Sequence, residues 1–167
     1  MISLAAYLSK RFKENGYVAA LGCIITILGL LFLIVLPEGG AILAGIFLSI
    51  IGQQYTIFLS MSSVNIAGYT KKSFYIGTAT VTYCLGNFIG PILLQESFAP
   101  RYIPAMIIMI AAVVLTALLF LFLRWSYHRE NRYRKQLKDD NKLPEVTESV
   151  EEDDLTDKKN LHFVYQP

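Results

Sequence analysis

Apolar residues fill four long blocks of the chain, about Tyr17 to Leu36, Ala41 to Ser63, Phe74 to Leu94 and Ile103 to Leu123. An α-helix rises about 1.5 Å per residue, so roughly 20 residues cross the ~30 Å hydrocarbon core of a bilayer. Each block has that length, and the pattern predicts an all-α membrane protein with four transmembrane helices. Turn and charge signals separate them: Pro37-Glu38-Gly39-Gly40, then Gly68 through Lys72, then Gln95-Glu96 through Arg101.

Placing residues at about 100° per position sorts the faces of these spans. In the second span Ala41, Gly45, Ser49, Gly52, Gln53, Thr56, Ser60 and Ser63 share an arc of roughly 120°. Two readings stay open for this face. Gln53 near mid-membrane needs partners that lipid does not offer, which fits the wall of a water-filled cavity; hydrogen bonding between packed helices fits equally well. The third span gathers Ala79, Thr80, Thr82, Tyr83, Gly86, Asn87 and Gly90 opposite Val81, Leu85, Phe88, Ile89 and Ile92. Gly86 and Gly90 form a small-xxx-small pair that admits another backbone, and Pro91 predicts a kink at the end of that helix. Gln53, Thr56, Tyr83 and Asn87 are the candidate substrate-cavity residues; Gly45, Gly52, Gly86, Gly90 and Pro91 are the candidate packing residues. The first and fourth spans, with thin stripes of Gly22, Thr26, Gly29 and of Ala105, Ala112, Thr116, read as lipid-facing supports.

Composition fits this picture: of 167 residues, 54% are hydrophobic and 17% charged. The charges are segregated. Residues 1–125 carry a net charge of +4 and residues 126–167 a net charge of −2. A soluble domain of this size cannot leave runs such as Gly39 to Thr70 nearly uncharged, which excludes that class. Basic residues cluster at Lys10, Arg11 and Lys13, at Lys71 and Lys72, and at Arg124 through Lys138. The bias of Lys and Arg toward inner loops puts these three regions, and so both termini, in the cytoplasm, with Trp125 and Tyr127 at the inner interface. From Asp139 onward, nine acidic residues reach Asp157 among few apolar ones. That composition predicts a mostly disordered cytoplasmic tail over residues 126–167, basic and then acidic. The apolar end "LHFVYQP" is too short to argue a role for itself.

Candidate chemistry is sparse. No Asp, Glu, Lys, Arg or His lies in the interior of any span, so no proton relay is visible there. The sequence offers no nucleophile triad, paired carboxylates, phosphate loop or metal-ligand cluster, and we expect neither an enzyme nor a cofactor or metal. Cys23 and Cys84 both lie in apolar runs and read as packing residues. Nothing points to nucleic acid; the expected surroundings are the lipid bilayer. Met1 to Leu8 is apolar with the basic cluster after it, which argues against a cleavable signal and looks like the end of a longer helix.

Three blocks between residues 64 and 104, "VNIAGYTKKS", "TYCLGNFIGP" and "ESFAPRYIP", together with "RENRYR" after the fourth span, resemble the allantoate permease-like branch of the fungal anion:cation symporter family. That family lies within the major facilitator superfamily. Asn65, Ala67, Gly68, Thr70 and Lys71 match its loop motif before the eleventh helix. Tyr83, Cys84, Gly86, Asn87, Gly90 and Pro91 match its Tyr-Cys-x-Gly-Asn-x-x-Gly-Pro block, and Ala99, Pro100 and Tyr102 the block that follows. Tyr69 departs from the usual His.

The resemblance implies that the four spans correspond to helices nine to twelve of a major facilitator fold. It implies proton-coupled uptake of small organic anions of the allantoate, vitamin or ureido-acid type, at the plasma membrane. It also implies that this stretch covers about the last third of such a transporter, so the expectation is a fragment that lacks its opposing half and is inactive alone. A four-span adaptor that binds other membrane helices through its small-residue faces is the rival expectation.

Overall fold

The computed structural model describes residues 15–36, 39–51, 54–95, 98–99, 101–140 and 155–166. Its elements are all helices: α1 Asn15–Val35, α2 Ala41–Ile51, α3 Gln54–Asn65, α4 Tyr69–Ile92 and α5 Ile103–Asp139. The first and fourth blocks become α1 and the first half of α5. The second block is two described helices, with Gly52 and Gln53 between them outside the described residues.

Among the described residues, three stretches are long and apolar enough to cross a membrane: Asn15–Val35, Ala41–Asn65 and Ile103–Asp139. The third predicted span is a helix of 24 residues, ample in length. Thr78, Thr80, Thr82, Tyr83 and Asn87 dilute its apolarity, and it does not join those three. Pro91 falls in its last turn, and α4 closes with tighter bonds, Leu93 N–H to Gly90 O at 3.1 Å and Leu94 N–H to Pro91 O at 3.0 Å. At its other end Gly68 takes φ 90°, a left-handed conformation that suits glycine and lets the chain turn sharply from α3 into α4.

The expectation that the first span is a lipid-facing support is corrected, because α1 is the hub of the bundle. It packs against α2, α5 and α3. Its buried residues, Asn15, Gly16, Ala19, Gly22, Cys23, Thr26, Gly29 and Leu30, recur at intervals of three and four and are mostly small. Small side chains let backbones approach, and dispersion and hydrogen bonds then hold helices that lipid cannot drive together. At Gly29 an added Cβ would collide with Ser49 N and lie 2.9 Å from Gly45 O, so α1 and α2 touch backbone to backbone. Below this seam Ala19 and Cys23 of α1 meet Ile57 and Met61 of α3 and Phe120 of α5, with Phe58, Val113 and Tyr127 packed around them.

A second correction concerns the tail. Residues 126–139 are not disordered: they extend α5 to 37 residues. The sequence RENRYRKQLKD is rich in helix formers, and Arg134 Nε donates to Glu130 Oε1 at 3.0 Å across one turn. Residues 155–166 are not disordered either: they fold back on α3, α4 and α5, and Asp157 and Tyr165 are buried. Their order comes from specific partners, which composition alone does not reveal. Residues 141–154 lie outside the described residues.

Candidate functional site

A cleft runs along α3 between α4 and α5. Its middle part, about 540 Å³, is lined by Gln54, Tyr55 and Phe58 of α3, Tyr75 of α4 and apolar residues of α5 such as Leu119 and Phe122. A side branch of about 390 Å³ enters between α3 and α4 along Tyr75, Thr78, Ala79, Thr82 and Tyr83. The widest part, about 630 Å³, lies at the Lys71 end and adds Ser62, Asn65, Tyr127, Glu130, Asp157 and Tyr165. Phe58 and Tyr75 line all three parts. Aromatic rings and aliphatic side chains line the middle part, and polar groups gather toward the Lys71 end, a mixture that suits a small-molecule site.

Tyr83 lies in this cleft. Its ring stacks on Tyr55 with centroids 4.3 Å apart and planes at 20°, joining α4 to α3. Asn87, one turn further, is exposed, and its Nδ2 donates to Tyr83 O at 3.1 Å. Thr56 is on the opposite, exposed face of α3, so it does not meet Tyr83 in the cleft. Gln53 lies outside the described residues, as does Gly52. The polar arc of the second span therefore divides. Gly45 and Ser49 are packed against α1, whereas Thr56 and Ser60 are open.

Sequence reasoning missed Gln54 and Tyr55. Gln54 Nε2 donates to Thr26 Oγ1 at 2.7 Å and reaches Gly22 O at 3.4 Å, while Thr26 Oγ1 donates to Ser49 O at 3.4 Å. These bonds form a polar seam across α1, α2 and α3. The adjacent Gln53-Gln54 pair was the available signal, since neighbouring residues on a helix diverge by about 100° and only one of them sits on the arc chosen. Tyr55 carried no signal without knowledge of which helix α4 faces.

The packing residues also divide. A Cβ at Gly45 would meet Gly29 O at 3.1 Å, whereas Gly86 and Gly90 have nothing within 4 Å. No residue of α4 is buried. Among the described residues nothing covers Gly86 or Gly90 of its small-residue face.

The motif loop residues lie at the wide end of the cleft. Asn65, 1% exposed, ends α3. Gly68 makes the turn, and Lys71 in the first turn of α4 pairs with Asp157. Burial alone would raise the Asp157 carboxyl, but hydrogen bonds from Lys71 and Tyr165 and the Lys71 charge hold it below the ordinary value. The Tyr165 phenol is pushed up to about 12 by burial and by donating to Asp157. Tyr127, stacked on Tyr165 at 5.0 Å, is likewise pushed up to about 12 by burial, with the Tyr75 and Asp157 charges adding to it. Among the described residues no cluster of three or more His, Cys, Asp or Glu is placed to hold a metal.

Comparison with known proteins gives the chain relatives. It is 34% identical over 161 residues to an uncharacterized transporter of Schizosaccharomyces pombe, covering 95% of this chain and 31% of that protein. It is 33% identical over 124 residues to the allantoate permease of Saccharomyces cerevisiae, covering 74% of this chain and 23% of the permease. A thiamine pathway transporter of the same yeast is 28% identical over 155 residues, covering 88% of this chain and 27% of that transporter. The chain thus spans about a third or less of the length of these relatives. No family model and no solved structure matches it.

Proposed function

We propose, from the premise that this chain belongs with the fungal membrane transporters that include an allantoate permease, that it forms one wall of a substrate pathway for small organic anions. The observation that carries the proposal is the Tyr83–Asn87 face of α4. It is exposed, polar within an otherwise apolar span, and continuous with the cleft along α3 through the Tyr55–Tyr83 stack. An amide and phenols on a membrane helix offer hydrogen bonds to a carboxylate or ureido group while excluding bulk water. Gln53 and Thr56 belong to the same proposal, as further polar groups of the pathway wall.

In this reading the four predicted spans correspond to helices nine to twelve of a major facilitator fold of the anion:cation symporter branch, coupled to protons. Both termini face the cytoplasm and the transporter sits in the plasma membrane. Alternating access needs two halves moving about a shared site. Residues 1–167 supply only one side of it and do not transport on their own.

The test is a chimera in which residues 15–125 replace the matching segment of the yeast allantoate permease, expressed in cells lacking that permease. Saturable allantoate uptake is expected, with Asn87→Ala lowering uptake efficiency about tenfold or more and Phe88→Ala, on the opposite face, leaving it nearly unchanged. Equal effects at the two positions refute the assignment of that face.

The uncovered Gly86 and Gly90 also support a second reading, in which α4 seats helices of another membrane protein. Cys84 is exposed and lies on the same helix. Crosslinking through Cys84 to a separate membrane protein supports this reading, and a strict monomer in the membrane refutes it.

A further inference from the structure

Residues 155–166 do not lie loosely on the bundle. Two asparagines from different helices saturate the backbone of two successive residues. Asn131 of α5 accepts from Tyr165 N–H at 2.9 Å and donates to Tyr165 O at 2.7 Å. Asn65 of α3 accepts from Gln166 N–H at 2.7 Å and donates to Gln166 O at 2.8 Å. An amide side chain that pairs with both the N–H and the C=O of one residue reads the backbone as a neighbouring strand would, without regard to side chain.

Arg134 supplies the anchor. Buried, it donates to Asp157 O at 2.9 Å, Asn160 O at 3.1 Å and Phe163 O at 2.7 Å. Its guanidinium also lies 4.7 Å from the centroid of the Tyr165 ring. A guanidinium has five N–H donors in a rigid fork, so one side chain can hold three carbonyls of a turn. The Tyr165 ring fills the remaining space, stacked on Tyr127 and edge-on to Phe163 at 5.2 Å, and its hydroxyl donates to Asp157 Oδ2 at 2.8 Å. Asp157 in turn pairs with Lys71 of α4. A loose acidic tail has no need of a buried arginine and two buried or half-buried asparagines prepared for its backbone, since each costs free energy to bury unless it is satisfied.

The holding groups come from three helices; Asn65 and Lys71 line the 630 Å³ part of the cleft, as do Asp157 and Tyr165 of the held segment. We propose that this end of the cleft is an intramolecular peptide-binding site. Asn65, Lys71, Asn131 and Arg134 form it, its ligand is residues 155–166 of the same chain, and the seated segment straps α3 and α4 to α5 across the cleft mouth. Release of the strap frees Lys71 and Asn65 and opens the cleft at that end. This inference concerns the chain's own contacts and does not rest on the transport reading.

The test uses the full chain in detergent micelles, with Cys84→Ser removing the exposed native thiol and Ser62→Cys placing a reporter in the buried wall of the cleft. Tyr165→Ala alters only the strap, so the bundle has no reason to misfold. We expect a water-soluble maleimide to modify the reporter about tenfold faster or more in Tyr165→Ala and in Arg134→Gln than in the parent. Hydrogen exchange at the Tyr165 and Gln166 amides should be slowed about tenfold or more in the parent and unprotected in both variants. Unprotected exchange at those amides in the parent overturns the site. Slowed exchange with the same maleimide rate in parent and Tyr165→Ala overturns the strap's closure of the cleft.

Discussion

Helices α1 and α4 carry the same kind of stripe and meet opposite fates. Gly22, Thr26 and Gly29 of α1 are buried against α2 and α3, with Gly29 in backbone contact with Ser49. Gly77, Gly86 and Gly90 of α4 have nothing within 4 Å. Composition does not separate the two stripes. What separates them is the presence on a neighbouring helix of a matching small face, Gly45 and Ser49 for α1, and a polar partner such as Gln54. A small-residue stripe is thus half of a contact, and α4 presents its half outward.

The contrast breaks most sharply at the glycines. Gly29→Leu forces a side chain into the Ser49 and Gly45 backbone and should cost about 3 kcal/mol or more. Gly86→Leu, in open space, should stay within about 0.5 kcal/mol. Thermal unfolding of the two variants in detergent, followed by Trp125 fluorescence, measures the difference. Gln54→Leu is expected to come next, removing the bond to Thr26 at roughly 1 kcal/mol by the same measurement. Its loss should fall on the α1–α3 seam and leave α4 unaffected.

The strap meets α4 at Lys71, and pH should sharpen that boundary. Asp157 is held below its ordinary value when seated, so it favours the seated strap above about pH 4, and that contribution fades as pH falls further. Tyr165 is raised, so its contribution is complete below about pH 10. It disappears as pH climbs toward about 12. The charged groups that face them are Lys71, Arg134 and Glu130. Protection of the Tyr165 amide should therefore be flat from about pH 5 to 9 and fall on both sides. The smallest perturbation is chemical labelling: a membrane-permeant maleimide should modify Cys84, which is exposed, and spare Cys23, which is 0% exposed.

Much of this was legible from periodicity. Hydropathy placed the ends of α1 and the start of α5 within two residues of the helices, since long apolar runs need no partner to declare themselves. The small face of α4 was legible too, although its Thr, Tyr and Asn content keeps the helix short of the apolarity of the others. Contacts between distant residues were not. Asn65 and Gln166 are about a hundred positions apart, and Asn131 and Arg134 looked like ordinary members of a basic stretch. Their role depends on which groups the fold brings opposite them. The acidic run before Asp157 hid the strap further, because an average over that segment describes solvated chain while the binding rests on Asp157, Tyr165 and a few carbonyls. Gln54 was passed over for Gln53 for a related reason: a wheel ranks faces but does not say which face a neighbour occupies.

The central proposal is that the described helices form one covered seam and one open wall of a transport pathway, and that residues 1–167 do not transport by themselves. Uptake of labelled allantoate by cells that lack a full-length relative and express only these residues at the membrane tests it most directly. The account predicts uptake equal to that of cells without the chain. Saturable, proton-dependent uptake would contradict it.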